Sequence, residues 1–269
     1  MLEAIRETVS FIKGKTIPEP EVGIILGTGL GGFAEEIDIR LTLNFEDIPN
    51  FPSSTAPGHH GKLIFGILGG KTIMAMLGRF HYYEGYTMQQ ITFPVRVMKF
   101  MGIRYLFVSN ASGGMNPGFE IGDIMIQDDH INLMPNPLIG KHYPEFGDRF
   151  PDMSEPYDKE LISRALRIAK ENNINIHQGC YVGVTGPTLE TPKEYEYFRT
   201  IGGDTVGMST VSEVIVARQM GMTCFAASVI TDLGVPGKIK EVNVESILKA
   251  ASKSAPGLKI IMEKLIESL

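Results

Sequence analysis

The chain has 269 residues, 43% of them hydrophobic and 21% charged, with 25 Lys and Arg against 31 Asp and Glu for a net charge of −6. This composition is too apolar for a disordered chain, and its acidic balance argues against a broad basic face for nucleic acid or an anionic membrane. The two cysteines, Cys180 and Cys224, lie far apart and form neither a disulfide framework nor a thiolate metal site, which fits a reducing, cytoplasmic setting.

Leu2, Ile5, Val9 and Ile12 recur at helical spacing, and Pro18 and Pro20 close that region. Glu3 and Glu7 inside this amphipathic pattern do not read as a signal peptide, and no apolar run approaches the length of a bilayer span. Residues 22–26 form a short apolar run followed by glycines, the pattern of a strand buried on both faces. Residues 41–45, 63–68 and 72–77 read as further strands, the last two joined by a hairpin turn at Gly69-Gly70. Helical spacing returns over 87–101, with Pro94 as a kink or restart. Residues 105–108 predict another buried strand and 123–126 a further one. Three prolines and two glycines make 136–152 a long irregular loop, a kind of segment that often carries function. A helix is predicted over 161–172 and a strand over 180–185. Thr191-Pro192-Lys193-Glu194 and Thr210-Val211-Ser212-Glu213 both have capping-box spacing and predict helix starts. A buried strand over 223–230 and a terminal helix over 244–266 complete the chain. This alternation predicts one α/β domain over 1–269, with a mixed, mostly parallel central sheet flanked by helices and ligands at the carboxyl ends of strands.

Those ends hold the unusual residues. Gly27, Gly29 and Gly32 fit G-x-G-x-x-G, with Glu46 and Asp47 near the distance of a ribose contact. The segment can be a dinucleotide-binding turn, a tight turn without a ligand, or a turn whose N–H groups and Thr28 hydroxyl cradle one anion. The helix predicted over 31–37 is short for a parallel crossover, which favours the anion. A glycine-bracketed pair, His59 and His60, sits on a loop. Arg79, His81, Tyr83 and Glu84 follow a predicted strand; Arg suits oxyanions, and Tyr offers a flat apolar face with one polar tip. These histidines show no helical metal-ligand spacing, so no metal is expected. Asn110 to Gly114 ends a buried strand with small polar residues, where a ligand can approach the backbone. Ser209 precedes a predicted helix start and offers a hydroxyl there, either as a cap or toward an anion. Glu190 and Asp232 place carboxylates on loops past strands. Donors for an anion together with two carboxylates point to a phosphate and a neutral hydrogen-bonding ring. A nicotinamide-dependent oxidoreductase and a non-catalytic nucleoside-binding protein are the competing classes.

The segments GTGLGG, PGHHGK, GRFHYYEGYT, SNASGGMNPG, GDIMIQDDHIN, FGDRFPDMSEPYD, GVTGPTLET and VGMSTVSEVIVAR occur in this order. Together they resemble the trimeric, low-molecular-mass purine nucleoside phosphorylases over nearly the whole chain. The resemblance implies a homotrimer that splits purine nucleosides with phosphate as a substrate and no cofactor. It implies phosphate contacts from Thr28, Arg79, His81, the Ala111 backbone and Ser209, with His59 nearby. It implies ribose contacts from Tyr83, Met208 and Val244, and from Phe150 of the neighbouring subunit. Ala111, Ser112, Gly113, Leu189, Glu190, Val206 and Asp232 would line the base site, with Tyr181 and Gly207 close by. His81, Glu190 and Asp232 would carry the catalytic roles. Asp232 stands where members acting on 6-oxopurines typically have Asn, Val244 where a His usually meets the ribose 5′-hydroxyl, and Leu189 where Phe is common. Inosine and guanosine are the expected substrates; 5′-methylthioadenosine or a broadened base range is the alternative.

Overall fold

The computed structural model describes residues 1–15, 18–53 and 61–269. Helix α1 (Leu2–Lys13) buries Ile5, Thr8 and Ile12, one face of the helical repeat. Strand β1 (Val22–Leu26) is buried throughout, as an unbroken apolar run in mid-sheet should be. Strand β2 (Asp38–Asn44) is mostly exposed, and β3 (Lys62–Leu68) and β4 (Lys71–Leu77) form the expected hairpin, with Gly69 and Gly70 both at positive φ. The helix predicted over 87–101 is divided into α2 (Met88–Ile91) and α3 (Phe93–Phe100), because Pro94 has no N–H to donate and sits in the first turn of the second piece. Strands β5 (Tyr105–Gly114) and β6 (Ile124–Asn132) both run past the apolar segments that predicted them. Then follow α4 (Lys159–Glu171), β7 (Ile176–Gly183), α5 (Pro192–Thr200), β8 (Thr205–Gly207), α6 (Val211–Gln219), β9 (Thr223–Leu233) and α7 (Val244–Glu267).

Among the described residues the strands form one sheet in the order β2-β3-β4-β1-β5-β8-β7-β6-β9, and β9 also pairs with β5. The second half is therefore a closed ring of five strands. Pairs β1–β4, β1–β5, β5–β9, β6–β7 and β7–β8 are parallel; β2–β3, β3–β4, β5–β8 and β6–β9 are antiparallel. Helix α7 packs on β3, β5, β9 and α4, while α3 packs on α1 and α6, so helices cover the sheet as predicted.

The turn after β1 leads into a short 3-10 helix (Gly31–Glu36) and then to β2, which pairs antiparallel with β3. No helix crosses from this turn to a parallel neighbour, so the dinucleotide reading fails on topology. Glycine at position 27 has another cause. A Cβ there would lie 2.7 Å from both Asn110 Cα and the Ser109 carbonyl oxygen, so Gly27 lets the end of β1 touch β5.

That contact marks a fork. β5 pairs with β1 over Tyr105 to Val108 and with β8 at Gly113 and Gly114, while β9 follows its other edge from end to end. Between Val108 and Gly113 one edge of β5 changes partner. The Ser112 carbonyl accepts from Thr231 on the β9 side, whereas the Ser109 carbonyl accepts from Arg79 on the opposite edge. Strand alternation then directs the Ala111 amide toward the fork, beside the Ser109 carbonyl.

Candidate active site

A cavity of about 190 Å³ lies at the fork. It is lined by Gly27, Thr28, Arg79, His81, Tyr83, Asn110, Ala111, Ser112, Gly113, Leu189, Glu190, Val206, Gly207, Met208, Ser209, Thr231, Asp232, Val244 and Ile247. The ends of β1, β4, β5, β8 and β9, the loop between β7 and α5, and the start of α7 thus bring together every predicted site residue except two. His59 lies outside the described residues, as does His60. Phe150 is 89% exposed and lines a separate hollow with His130 and Met153. Tyr181 is fully buried behind Ser209, whose backbone N–H donates to its hydroxyl at 3.3 Å.

Arg79 is buried, and its side chain is fixed by its surroundings. Nη2 donates to the carbonyls of Ser109 at 2.6 Å and Ile25 at 3.3 Å, while Nη1 donates to Ser209 Oγ at 2.7 Å and Thr210 Oγ1 at 3.4 Å. Glu213, also buried, balances its charge, with Oε1 3.6 Å from Nε. A guanidinium held this way keeps one orientation, which suits a planar donor for an oxyanion. His81 is oriented by Glu84, whose carboxylate accepts from the His81 backbone N–H at 2.7 Å and lies 3.1 Å from Nδ1. Fixing one ring nitrogen leaves Nε2 to face elsewhere. The Tyr83 ring stacks on His81 with centroids 4.8 Å apart. Burial, reinforced by the charge of Glu84, pushes the Tyr83 phenol up to about 12, so it stays protonated at neutral pH.

The capping box read at Thr210 does not form. Thr210 has φ 67°, an uncommon conformation for a β-branched residue, and makes no side-chain cap. Its hydroxyl instead accepts from Asn110 Nδ2 at 2.9 Å, and Glu213 turns to Arg79 rather than back to the helix start. At Thr191 the box does form, with Glu194 as its partner.

The cavity also holds the two carboxyl groups. Asp232, at the end of β9, accepts from the Tyr195 hydroxyl at 2.9 Å through Oδ2 and from Thr231 Oγ1 at 3.0 Å through Oδ1. Burial, and then the nearby charge of Asp232, raises the pKa of Glu190 above the ordinary glutamate value. Sequence reasoning missed Tyr195, Thr210, Thr231 and Glu213. Only Glu213 left a signal, as a carboxylate inside an otherwise mostly apolar segment after Thr210. Among the described residues no group of three His, Cys, Asp or Glu side chains is placed to hold a metal ion.

The chain matches the phosphorylase superfamily over residues 21–267. It is 47% identical over 267 residues to purine nucleoside phosphorylase 1 of Bacillus subtilis (strain 168), covering 99% of this chain and 98% of that one. The crystal structure of Schistosoma mansoni purine nucleoside phosphorylase in complex with adenosine superposes with a TM-score of 0.93 at 40% identity, over 99% of this chain and 97% of that one. A schistosoma purine nucleoside phosphorylase in complex with hypoxanthine gives the same TM-score of 0.93 at 40% identity and the same coverage of 99% and 97%. With one superfamily matched over nearly its full length, and a fold shared from end to end, the chain belongs to the phosphorylase superfamily.

Proposed function

We propose that this protein is a purine nucleoside phosphorylase, releasing a free purine and ribose 1-phosphate from a purine nucleoside and phosphate. The observation that carries this reading is one cavity holding anion donors (Thr28, Arg79, His81, Ser209) together with a carboxyl pair (Glu190, Asp232). An anion seated by Arg79 and Ser209 meets a rigid donor set beside the inward-directed Ala111 amide. Met208, Tyr83 and Val244 supply an apolar wall for a sugar. The bond from the sugar C1′ to the purine N9 breaks, its electron pair leaves with the purine, and a phosphate oxygen bonds to C1′. Positive charge grows on the sugar, where the phosphate dianion stabilises it. Negative charge grows on the base, where a donor at N7 stabilises it. Phosphate is then a substrate and the reaction takes no separate cofactor. The names and bound ligands of the relatives support this chemistry.

A homotrimer in which Phe150 completes the neighbour's sugar site belongs to the same proposal. It is supported by the exposure of a large aromatic ring on a long loop away from its own cavity. A second reading, 5′-methylthioadenosine as substrate, is favoured by Val244 and Ile247, two apolar side chains that line the cavity from one turn of α7.

The deciding assay measures free base released from inosine, guanosine, adenosine and 5′-methylthioadenosine, with and without phosphate. Release that requires phosphate is the expected result. Release without it, or none from any of the four, overturns the reading, and the order of kcat/KM separates the two substrate classes.

A further inference from the structure

A separate cavity of about 250 Å³ lies between α3, the end of α6 and the irregular segment 137–149. No residue lines both this cavity and the one at the fork. Its charged lining side chains are the cations Arg96, Lys141 and Arg149, with the His142 ring beside them. Among the described residues no Asp or Glu lines it, in a chain whose net charge is −6. Glu145 and Asp148 share the segment but are exposed and stand outside the lining. A hollow lined by one sign of charge concentrates its field on whatever enters.

Arg96 distinguishes this hollow from an ordinary surface dent. It is 4% exposed and has no carboxylate partner among the described residues, whereas the equally buried Arg79 has Glu213. Nη1 donates to Gln219 Oε1 at 3.3 Å and to Met220 Sδ at 3.7 Å, and the buried Nε has no hydrogen-bond partner. The Phe146 ring lies 4.1 Å from Cζ and gives the cation a π face, but no negative charge. Burial pulls the Arg96 pKa down to about 10, which still leaves the guanidinium charged at neutral pH. A buried cation in this state is costly, and an anion in the cavity would balance it.

The walls are held in place without a ligand. Gln89 Nε2 donates to the Ile139 carbonyl at 2.9 Å, and Gln219 Nε2 donates to the Asp148 carbonyl at 3.0 Å. Arg149 Nη1 donates to the carbonyls of Leu138 at 3.1 Å and Gly140 at 2.9 Å. These bonds use one nitrogen of a guanidinium that has five N–H donors, so Arg149 is oriented and still has donors to offer. Donors fixed beforehand lose little freedom when a ligand arrives. We propose that this cavity is a second oxyanion site, which takes a phosphate-bearing small molecule with at least two negative charges. Arg96 and Arg149 supply the paired donors that suit phosphate oxygens, and Lys141 adds charge at the rim. The assignment stands apart from the purine reading, since it uses none of the residues at the fork.

The test is calorimetric titration of inorganic pyrophosphate into the full chain at low salt, with the wild type and with Arg96→Met, Lys141→Glu and Ser209→Ala. The last variant alters only the fork cavity. Pyrophosphate binding should survive Ser209→Ala, disappear in Arg96→Met, and weaken about tenfold or more in Lys141→Glu, the size of one lost charge-assisted hydrogen bond. Adenosine 5′-diphosphate, titrated in parallel, separates two sources of the same anion. Equal affinity identifies the bare oxyanion as the ligand, and tighter binding places an organic body against Leu138, Ile139 and Tyr143. Wild-type affinity in both Arg96→Met and Lys141→Glu overturns the proposal, as does binding that only Ser209→Ala removes. If Arg96→Met does not fold, Lys141→Glu on the exposed rim decides alone. Mass measured on the same samples covers the remaining occupant. A chain that binds no pyrophosphate, and whose oligomer falls apart on Lys141→Glu, seats a carboxylate of a second copy there, and the small-molecule site is wrong.

Discussion

Arg79 is central to the proposed anion end, and it is built firmly into the fold. Its guanidinium donates to two backbone carbonyls and two hydroxyls and is paired with a buried Glu213. Two effects of Arg79→Ala follow. The KM for phosphate should rise about tenfold or more, beyond any change in nucleoside KM, since a lost charge-assisted hydrogen bond costs roughly 1.5–3 kcal/mol. Glu213 is also left buried without its cation, so stability should fall by about 3–5 kcal/mol. Arg79→Lys keeps the charge but not the paired donors, and should show the kinetic effect with a smaller loss of stability. Steady-state kinetics and denaturant titration of the two variants separate these contributions. A phosphate KM equal to wild type in both would remove Arg79 from the anion site.

At the scale of elements, α5 and the end of β9 meet through one side chain. The Thr191 cap fixes where α5 starts, and Tyr195 follows one turn later on the face that meets β9. Gly234 must stay small for the ring to lie there, so Gly234→Ala should cost about 1–3 kcal/mol by overpacking, read as a lowered Tm with the α/β circular dichroism retained. If thermal stability is unchanged, the Tyr195 ring is not where the structure puts it.

The same elements show what the sequence could and could not reveal. β1, β4, β5 and β9 were legible because strands buried on both faces read as apolar runs. The continuation of β5 through Asn110, Ser112 and the paired glycines was not, because hydrophobicity ends where the ligand side begins. β8 has three residues, too few for any period, and β6 runs on through Asp128, Asp129 and His130, where polarity resembles a loop. Thr210 and Glu213 copied the spacing of a capping box while serving Arg79, and spacing alone cannot tell these uses apart. Tyr195 carried no mark at all: its partner Asp232 stands 37 residues away in the chain. Thr28, Arg79, His81, Ser209, Glu190 and Asp232 were named through their motifs, and the fold gathers them into one cavity.

For the whole molecule, the question is whether one chain makes a complete site. Phe150 is remote from the cavity of its own chain, and the proposed trimer assigns it to the next. Phe150→Ala and Glu190→Ala are both suited to a mixing test, since one ring is exposed and the other side chain is only partly buried. Each variant alone should lose most activity. Mixed oligomers, verified by mass, should regain part of it, because some sites then combine an intact Glu190 with an intact Phe150. Verified mixed oligomers that recover nothing would show that Phe150 does not act across subunits.

The fork in β5 ties ligand affinity to cohesion. On one side of the cavity lies the open row β2-β3-β4-β1; on the other lies the closed ring, and the pairing of β1 with β5 joins them. A molecule seated between Thr28 and Ser209 touches both sides at once. Its binding free energy therefore also resists separation of the two halves. At a free concentration a hundred times Kd, that linkage adds about 2.7 kcal/mol to the stability of the native chain. Substrate supply would then govern how long the enzyme lasts as well as how fast it turns over.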